Sequence, residues 1–144
     1  MYKKMIVAYD ESTDARRALT HAIELAKLTG AELRLVTVAE PLPGYVAYTD
    51  AAFPGSKRVF TEERQNFYNK LQVEAKARAA ESGLVADSVI VEGDEVTSIV
   101  DSITSWNADL LVIGRRHHTS PLSRMWGGTV HDIAERTKIN ILAV

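Results

Sequence analysis

The residues whose chemistry suits a binding site are concentrated in two short segments of the chain. Residues 8–12 read Ala-Tyr-Asp-Glu-Ser, and residues 114–129 begin with Gly-Arg-Arg-His-His and end with Gly-Gly-Thr. Glycine lets a backbone approach a ligand closely, and the free amides at the start of a helix bind phosphate. Gly127, Gly128 and the hydroxyl of Thr129 therefore indicate an anion site, although the two glycines fit a simple solvated turn equally well.

The charged side chains in these two segments allow two interpretations each. The carboxylate of Asp10 could accept hydrogen bonds from ribose hydroxyls or bind a metal ion. Alternatively, Asp10 or Ser12 caps the helix that follows, and both roles can coexist. The guanidinium groups of Arg115, Arg116 and Arg124 could contact phosphates, or they could remain solvated.

Other kinds of site are disfavoured by what the sequence lacks. The chain has no cysteine, which excludes disulfides, thiolate metal sites and cysteine nucleophiles. His117 and His118 are adjacent, so their rings point apart, and neither a zinc site nor a histidine base is predicted. The motifs G-x-x-x-x-G-K-[ST], G-x-G-x-x-G and G-x-S-x-G are all absent. Fast phosphoryl transfer and catalysis by a side-chain nucleophile are therefore not expected.

The length and charge of the chain limit its class and its partners. Its 144 residues fit one domain over residues 1–144, and the formal net charge is -2. This balance predicts neither a nucleic-acid partner nor an anionic membrane partner. No apolar run approaches the roughly 20 residues of a membrane span, and residues 1–7 indicate a first strand rather than a signal peptide. The expected location is the cytoplasm.

The elements that must position these residues are predicted from the apolar pattern. Strands are expected at Met5–Tyr9, Glu32–Val38, Ser88–Val91, Leu110–Ile113 and Asn140–Val144. Helices are expected from the N-cap Ser12 to Gly30, and at Thr61–Ser82, Val96–Trp106 and Thr129–Arg136. Residues 39–58, which hold three prolines and two glycines, are predicted to form a long surface loop. This alternation favours an open α/β parallel sheet with helices on both faces. Ligands of such sheets bind beyond the carboxyl ends of the strands.

Six segments, in chain order, resemble the universal stress protein family. Residues 108–114, Ala-Asp-Leu-Leu-Val-Ile-Gly, are similar to the family's Ala-Asp-Leu-Ile-Val-Met-Gly, and residues 6–12 resemble its first strand followed by Asp-Gly-Ser. The others are residues 37–38, 92–94, 119–130 and 140–144. The resemblance covers the whole chain. It implies a Rossmann-like, adenine nucleotide alpha hydrolase-like sheet of five strands in the order 3-2-1-4-5, and a homodimer.

The glycine loop of the family's ATP-binding branch is present with differences. Its form is G-x-x-G, nine further residues and then G-[ST]; Gly114 matches the first position, whereas His117 stands where the second glycine belongs. Gly128-Thr129 matches the last pair but leaves ten intervening residues. Gly127 restores nine, but Gly128 then replaces the serine or threonine. The motif therefore carries one substitution and a one-residue insertion.

The resemblance implies a site for ATP, with Mg²⁺, in the crevice between strands one and four. The contacts it implies are Ala8, Tyr9, Asp10, Val38, Gly114, Arg115, His117, Gly127, Gly128, Thr129 and Val130. Part of the family lacks the glycine loop and does not bind ATP, so the alternative is a stress-response protein that acts through protein partners. A third hypothesis is an ATP-hydrolysing or adenylate-forming enzyme. The missing γ-phosphate lysine and general base argue against it, and at most slow ATP hydrolysis is expected.

The last strand predicts how two copies would assemble. Residues 141–144 are apolar, and strand five lies at an edge of the implied sheet, where unpaired backbone groups invite another strand. Pairing with the same strand of a second copy about a two-fold axis would satisfy those groups. We therefore expect a homodimer joined through residues 140–144.

Overall fold

Five strands form one parallel sheet, which explains the alternation seen in the sequence. The computed structural model describes residues 1–115 and 128–144. The strands are β1 (Lys4–Ala8), β2 (Glu32–Ala39), β3 (Asp87–Glu92), β4 (Leu110–Ile113) and β5 (Asn140–Ala143). They lie in the order β3-β2-β1-β4-β5, and all four pairings are parallel. The predicted fold class and strand order are confirmed.

The helices of the described part cover both faces of this sheet. They are α1 (Thr13–Thr29), α2 (Tyr45–Ala52), α3 (Ser56–Glu81), α4 (Glu95–Trp106) and α5 (Gly128–Arg136). α1 has the predicted ends, since Ser12 Oγ accepts a hydrogen bond from Ala15 N at 3.1 Å and Gly30 adopts a left-handed φ of 71°. None of the helices within residues 1–115 and 128–144 is long and apolar enough to cross a membrane.

The core consists of two apolar layers, one on each face of the sheet. Met5, Val7 and Leu35 pack with α1 and the second half of α3, whereas Ile6 and Val36 pack with α4 and α5. Burying a side chain of this size stabilises the fold by about 1.5–3 kcal/mol. A strand that is covered on both faces has no polar side, which explains why Met5–Ala8 of β1 and the whole of β4 are continuous apolar runs.

The prediction of a long loop over residues 39–58 is wrong. Within this range α2 occupies Tyr45–Ala52, and α3 begins at Ser56 rather than at Thr61. Val46 is buried, and α2 packs against α3. The two helices form a hairpin that stands where the sequence indicated irregular structure.

The prolines and glycines of this region lie between the helices instead of replacing them. Gly55 precedes α3 with a left-handed φ of 94°, a conformation that glycine adopts without strain. Asp50 then accepts hydrogen bonds from the amides of Gly55 at 3.1 Å and Lys57 at 3.0 Å. A carboxylate from α2 thus satisfies a free amide at the start of α3, where no capping side chain stands at position 55.

Candidate functional site

The carboxyl ends of β1 and β4 are adjacent where the strand order reverses, which is where the sequence predicts a binding crevice. The two strands pair directly, with Met5 opposite Leu110 and Val7 opposite Val112. α1, which follows β1, packs on one face of the sheet, whereas α5, which precedes β5, packs on the other. Chain segments that diverge in this way open the position at which α/β sheets bind ligands. Residues 8–12 and 114–129, which the sequence predicts to bind a ligand, both begin at the carboxyl edge of the sheet.

The first segment is a tight turn organised by its own side chains. Asp10 Oδ1 accepts a hydrogen bond from Ser12 N at 2.8 Å, and Ser12 is the N-cap of α1. Ala8 and Tyr9 are buried, whereas Asp10 is partly exposed. Ser12 therefore caps the helix, whereas Asp10 is held by the Ser12 amide and is partly exposed.

Gly114, at the end of β4, has a packing role that sequence reasoning missed. A Cβ atom at this position would lie 2.7 Å from Asp14 Cβ and 2.8 Å from the Asp14 carbonyl carbon. Only glycine fits, because real Cβ atoms do not approach other heavy atoms so closely. The absence of a side chain lets the end of β4 lie against the first turn of α1. This contact brings the second binding segment beside the first.

The backbone of Arg115 is anchored while its side chain is exposed. Arg115 N donates to Val144 O at 2.8 Å, and Val144 N donates to Ile113 O at 2.9 Å. The ladder between β4 and β5 therefore continues one residue past each strand. Arg115 is exposed, so its side chain is accessible to solvent just past the carboxyl end of β4.

The start of α5 is the helix terminus that the sequence predicts to bind an anion. Gly128 is its first residue and has a left-handed φ of 75°, a conformation that favours glycine. Thr129 is buried, and Val130 packs into the layer formed with α4. The first amides of a helix lack partners within the helix and carry a partial positive charge, which favours an anion there.

The carboxyl end of β2 lies next to β1, as the predicted role of Val38 requires. Val38 is half-buried and packs on the α4 face of the sheet. The preceding residue, Thr37, is 1 % exposed, and its hydroxyl has no hydrogen-bond partner among the described residues. Sequence reasoning singled out Thr37 only for its resemblance to the family's strand end. A polar side chain inside the apolar second half of β2 was the signal that could have marked it.

A separate open groove of about 470 Å³ runs between α4 and α5. It is lined by Asp94, Val96, His131, Asp132, Glu135 and Arg136. Sequence reasoning did not predict it, since it depends on how the two helices pack. Within residues 1–115 and 128–144, no group of three or more histidine and acidic side chains is arranged to hold a metal ion.

The start of α4 at this groove is held by charge-assisted hydrogen bonds. Asp94 is the N-cap and accepts from Thr97 N at 2.9 Å. Hydrogen bonds from the backbone and side chain of Thr97 lower the pKa of Asp94, and the charge of Arg136 acts in the same direction. Arg136 also donates to Thr97 Oγ1 at 3.0 Å. The last turn of α5 is thereby tied to the first turn of α4.

The structure thus brings most of the predicted contacts to one edge of the sheet. Those within the described part are Ala8, Tyr9, Asp10, Val38, Gly114, Arg115, Gly128, Thr129 and Val130. The predictions for His117 and Gly127, and for Arg116 and Arg124, fall on residues outside the described part of the chain.

Known proteins resemble this chain both in sequence and in fold. The sequence profile of the universal stress protein family matches residues 1–144. Universal stress protein YxiE of Bacillus subtilis is 28% identical over 151 aligned positions, which cover 100% of this chain and 99% of that protein.

Solved structures with the same architecture include two nucleotide complexes. A universal stress protein in complex with cAMP is 25% identical, has a TM-score of 0.71, and is matched over 99% of this chain and 96% of its own. A universal stress protein family protein of Arabidopsis thaliana with AMP bound is 16% identical, also with a TM-score of 0.71, over 99% of this chain and 90% of its own. The second likeness concerns the fold alone. With its whole length matched by the family profile, the chain belongs to the universal stress protein family.

Proposed function

We propose that this protein binds an adenine nucleotide in the crevice between β1 and β4. The observation that carries the proposal is the meeting of three features at one edge of the sheet. These are the partly exposed Asp10 carboxylate, the glycine-only approach of Gly114 to α1, and the start of α5 at Gly128. Family members with the same fold have been solved with cAMP and with AMP, which supports this class of ligand.

Each feature suits a different part of a nucleotide. Asp10 is oriented by the Ser12 amide and can accept a hydrogen bond from a ribose hydroxyl. The end of β2 at Val38 offers an apolar edge for the base. The first amides of α5 and the exposed Arg115 suit phosphate, through hydrogen bonding and through charge.

We further propose ATP, with Mg²⁺, as the nucleotide that this site holds. A triphosphate would extend from the ribose at Asp10 towards Arg115 and the start of α5, both of which carry positive charge. The chain lacks the lysine motif that clamps a γ-phosphate, so we expect a binding protein with at most slow hydrolysis. A cytoplasmic location remains a prediction from composition.

Thermal unfolding with nucleotides tests the proposal directly. A ligand present at 100 times its Kd and bound only to the folded state stabilises that state by about 2.7 kcal/mol. We expect ATP with Mg²⁺ to raise Tm and Asp10→Ala to reduce the shift. The exposed Asp101→Ala on α4 serves as the matched control and should leave it unchanged. GTP tests selectivity for the base.

The opposite result would favour the other branch of the family. If millimolar adenine nucleotides leave Tm unchanged, and mass spectrometry finds no nucleotide released from the purified protein, the crevice is not a nucleotide site. The protein would then act through protein partners. The ligand-induced shift, rather than Tm itself, is the quantity to compare, because Asp10→Ala also removes the acceptor of the Ser12 amide.

We also propose that two copies pair through β5, which is an edge of the sheet. Leu142 and Ala143 are exposed. The backbone groups of Val144 point towards β4, as its bonds to Ile113 and Arg115 show, so by alternation those of Ala143 point to the open edge. Unpaired groups of this kind favour addition of a second strand.

A proline at position 143 tests this arrangement. Ala143→Pro removes an amide of the open edge and should shift the sedimentation of the protein from dimer to monomer, whereas Ala143→Val retains the amide and should not. A wild-type protein that sediments as a monomer at micromolar concentration would exclude pairing through β5.

A further inference from the structure

Five exposed aromatic residues lie close together in one segment of the described chain. All three phenylalanines of the sequence lie within residues 53–67, and each is at least 41% exposed. Tyr45 and Tyr48, at the start of α2, are 63% and 81% exposed. Residues 45–68, which comprise α2, the turn and the first half of α3, form the aromatic hairpin. Exposed apolar surface concentrated in one element marks an interaction site.

The exposure follows from the length of α3. Its 26 residues span about 39 Å, whereas the eight residues of β2 span about 26 Å. The second half of the helix packs on the sheet through Leu71, Ala75 and Ala79. The first half precedes these contacts with the sheet, and residues 57–63 are all exposed.

The exposed stripe of α3 continues its own buried stripe. Phe60 and Phe67 are seven residues apart and Leu71 follows four residues later, so all three lie near one face of the helix. Leu71 is 6% exposed, whereas Phe67 is 48% and Phe60 is 41% exposed. The same helix face is therefore covered by the sheet in one half and left open in the other. Aromatic side chains at this spacing suit packing against another helix.

The hairpin that presents these side chains is held by specific contacts. Val46 is 3% exposed, and Asp50 bonds to two amides across the turn. Arg58 and Glu62 form an ion pair of 2.9 Å on the open surface of α3. These contacts hold the two helices, and hence the aromatic side chains on them, in fixed positions. Binding a partner therefore costs less conformational entropy.

We propose that the aromatic hairpin binds the aromatic hairpin of a second copy of this chain. With about 200 Å² for a whole aromatic side chain, the five exposed rings leave about 600 Å² open on each copy. Covering both sets would bury about 1,200 Å², which is at the lower end of the range for specific interfaces. A helical surface rich in aromatic side chains would suit this hairpin as a partner, and the hairpin of a second copy is such a surface.

The charges on the hairpin are compatible with self-association. The basic pair Lys57 and Arg58 is followed within two turns by the acidic pair Glu62 and Glu63. Because both signs are present, two hairpins do not face each other with a single-sign field. The hairpin connects β2 to β3, whereas β5 is the opposite edge of the sheet. The two surfaces can be used together, and two isologous contacts can build a dimer of dimers.

Sedimentation of a double variant tests the proposal. Phe60→Ser with Phe67→Ser removes two exposed rings without opening the core and should lower the average mass at high micromolar concentration about twofold. The matched control is Leu28→Ser with Val85→Ser, which replaces apolar residues that are 84% and 98% exposed elsewhere and should leave the mass unchanged. Equal masses for the wild type and the hairpin variant at every concentration would overturn the proposal.

The absence of cysteine from the sequence allows a second, independent measurement. Val59→Cys places one thiol next to Phe60, and Val85→Cys places one at a 98% exposed position as the control. Under mild oxidation, the thiol at position 59 should form disulfide-linked dimers at least about tenfold faster than the control, because the proposed contact raises its effective concentration. Equal rates at the two positions would contradict pairing through the hairpin.

Discussion

The crevice between β1 and β4 and the aromatic hairpin use glycine and apolar residues in different ways. At the crevice, Gly114 is required by contact with Asp14 and the strands on both sides are buried. In the hairpin, glycine at position 55 separates two helices, and most of the large apolar side chains face outward. The comparison teaches that a residue type acquires its role from the surfaces around it. A buried edge makes glycine a packing requirement, whereas an uncovered helix makes phenylalanine a contact surface.

The largest expected effect is a difference in stability loss between substitutions in the two halves of α3. Leu71→Ala should cost about 2–4 kcal/mol of unfolding free energy, because it opens a cavity against the sheet in a residue that is 6% exposed. Phe67→Ala, one turn away and 48% exposed, should cost less than about 1 kcal/mol. Urea denaturation at low micromolar concentration measures both. Similar losses for the two variants would mean that the first half of α3 belongs to the core, and the comparison would fail.

The next effect concerns the glycine that the crevice requires. Gly114→Ala should cost about 1–3 kcal/mol, because the new Cβ would lie 2.7 Å from Asp14 Cβ. Gly44, at the N-cap of α2, is the matched control, since a Cβ there meets nothing within 4 Å. Gly44→Ala should be neutral or stabilise by up to about 1 kcal/mol. A neutral Gly114→Ala would show that the end of β4 can move away from α1.

A smaller effect is expected at the start of α5, where backbone conformation rather than space requires glycine. Gly128→Ala should cost about 1–2 kcal/mol, the usual penalty for a left-handed residue with a Cβ, since Gly128 has a φ of 75°. Gly128→Asn should cost less, because asparagine tolerates this conformation better. Gly128→Asp adds charge and bulk against phosphate and should weaken nucleotide binding beyond its effect on stability. Equal Kd values for Gly128→Asn and Gly128→Asp would place the phosphate elsewhere.

The smallest effect concerns the charge of the α4 cap at the carboxyl edge. The pKa of Asp94 is lowered, first by the hydrogen bond from the Thr97 backbone. A lowered pKa means that the ionised form stabilises the fold above the ordinary range, near pH 4, and that this stabilisation is lost as pH falls through the folded-state pKa. Asp94→Asn keeps a capping oxygen without the charge, so it should be less stable by a few tenths of a kcal/mol at pH 7. The difference should shrink as pH falls through the folded-state pKa of Asp94, and a difference that grows on acidification would contradict the assignment.

Short-range patterns predicted the elements that are buried on both faces. Leu110–Ile113 was predicted with its observed bounds, because an apolar run before a glycine is a local signal. The caps of α1 at Ser12 and Gly30 were also predicted correctly, because the ends of a helix depend on residues that are close in sequence. The resemblance to the family supplied the strand order, which the alternation of elements alone leaves open.

The α2–α3 hairpin was missed because its local signals were ambiguous. Proline and glycine are common both in long loops and in short turns between helices, so their presence does not distinguish the two. α2 is only eight residues long and has no side chain at its N-cap. Val46 of α2 is buried, and α2 packs against α3. A segment of eight residues is too short for one buried position to produce a recognisable helical period.

By itself the sequence determined the alternation of strands and helices and the caps of α1, and it singled out the two segments that we predict to bind a ligand. These depend on interactions over a few residues, so they are visible along the chain. Tertiary structure alone decided that Gly114 must be glycine, since the atom it would strike belongs to Asp14, one hundred positions earlier. It also decided that Leu71 is core while Phe67 is surface. The physical reason is common to both: burial and close approach are set by which distant segment covers a residue, and not by the residue or its neighbours in sequence.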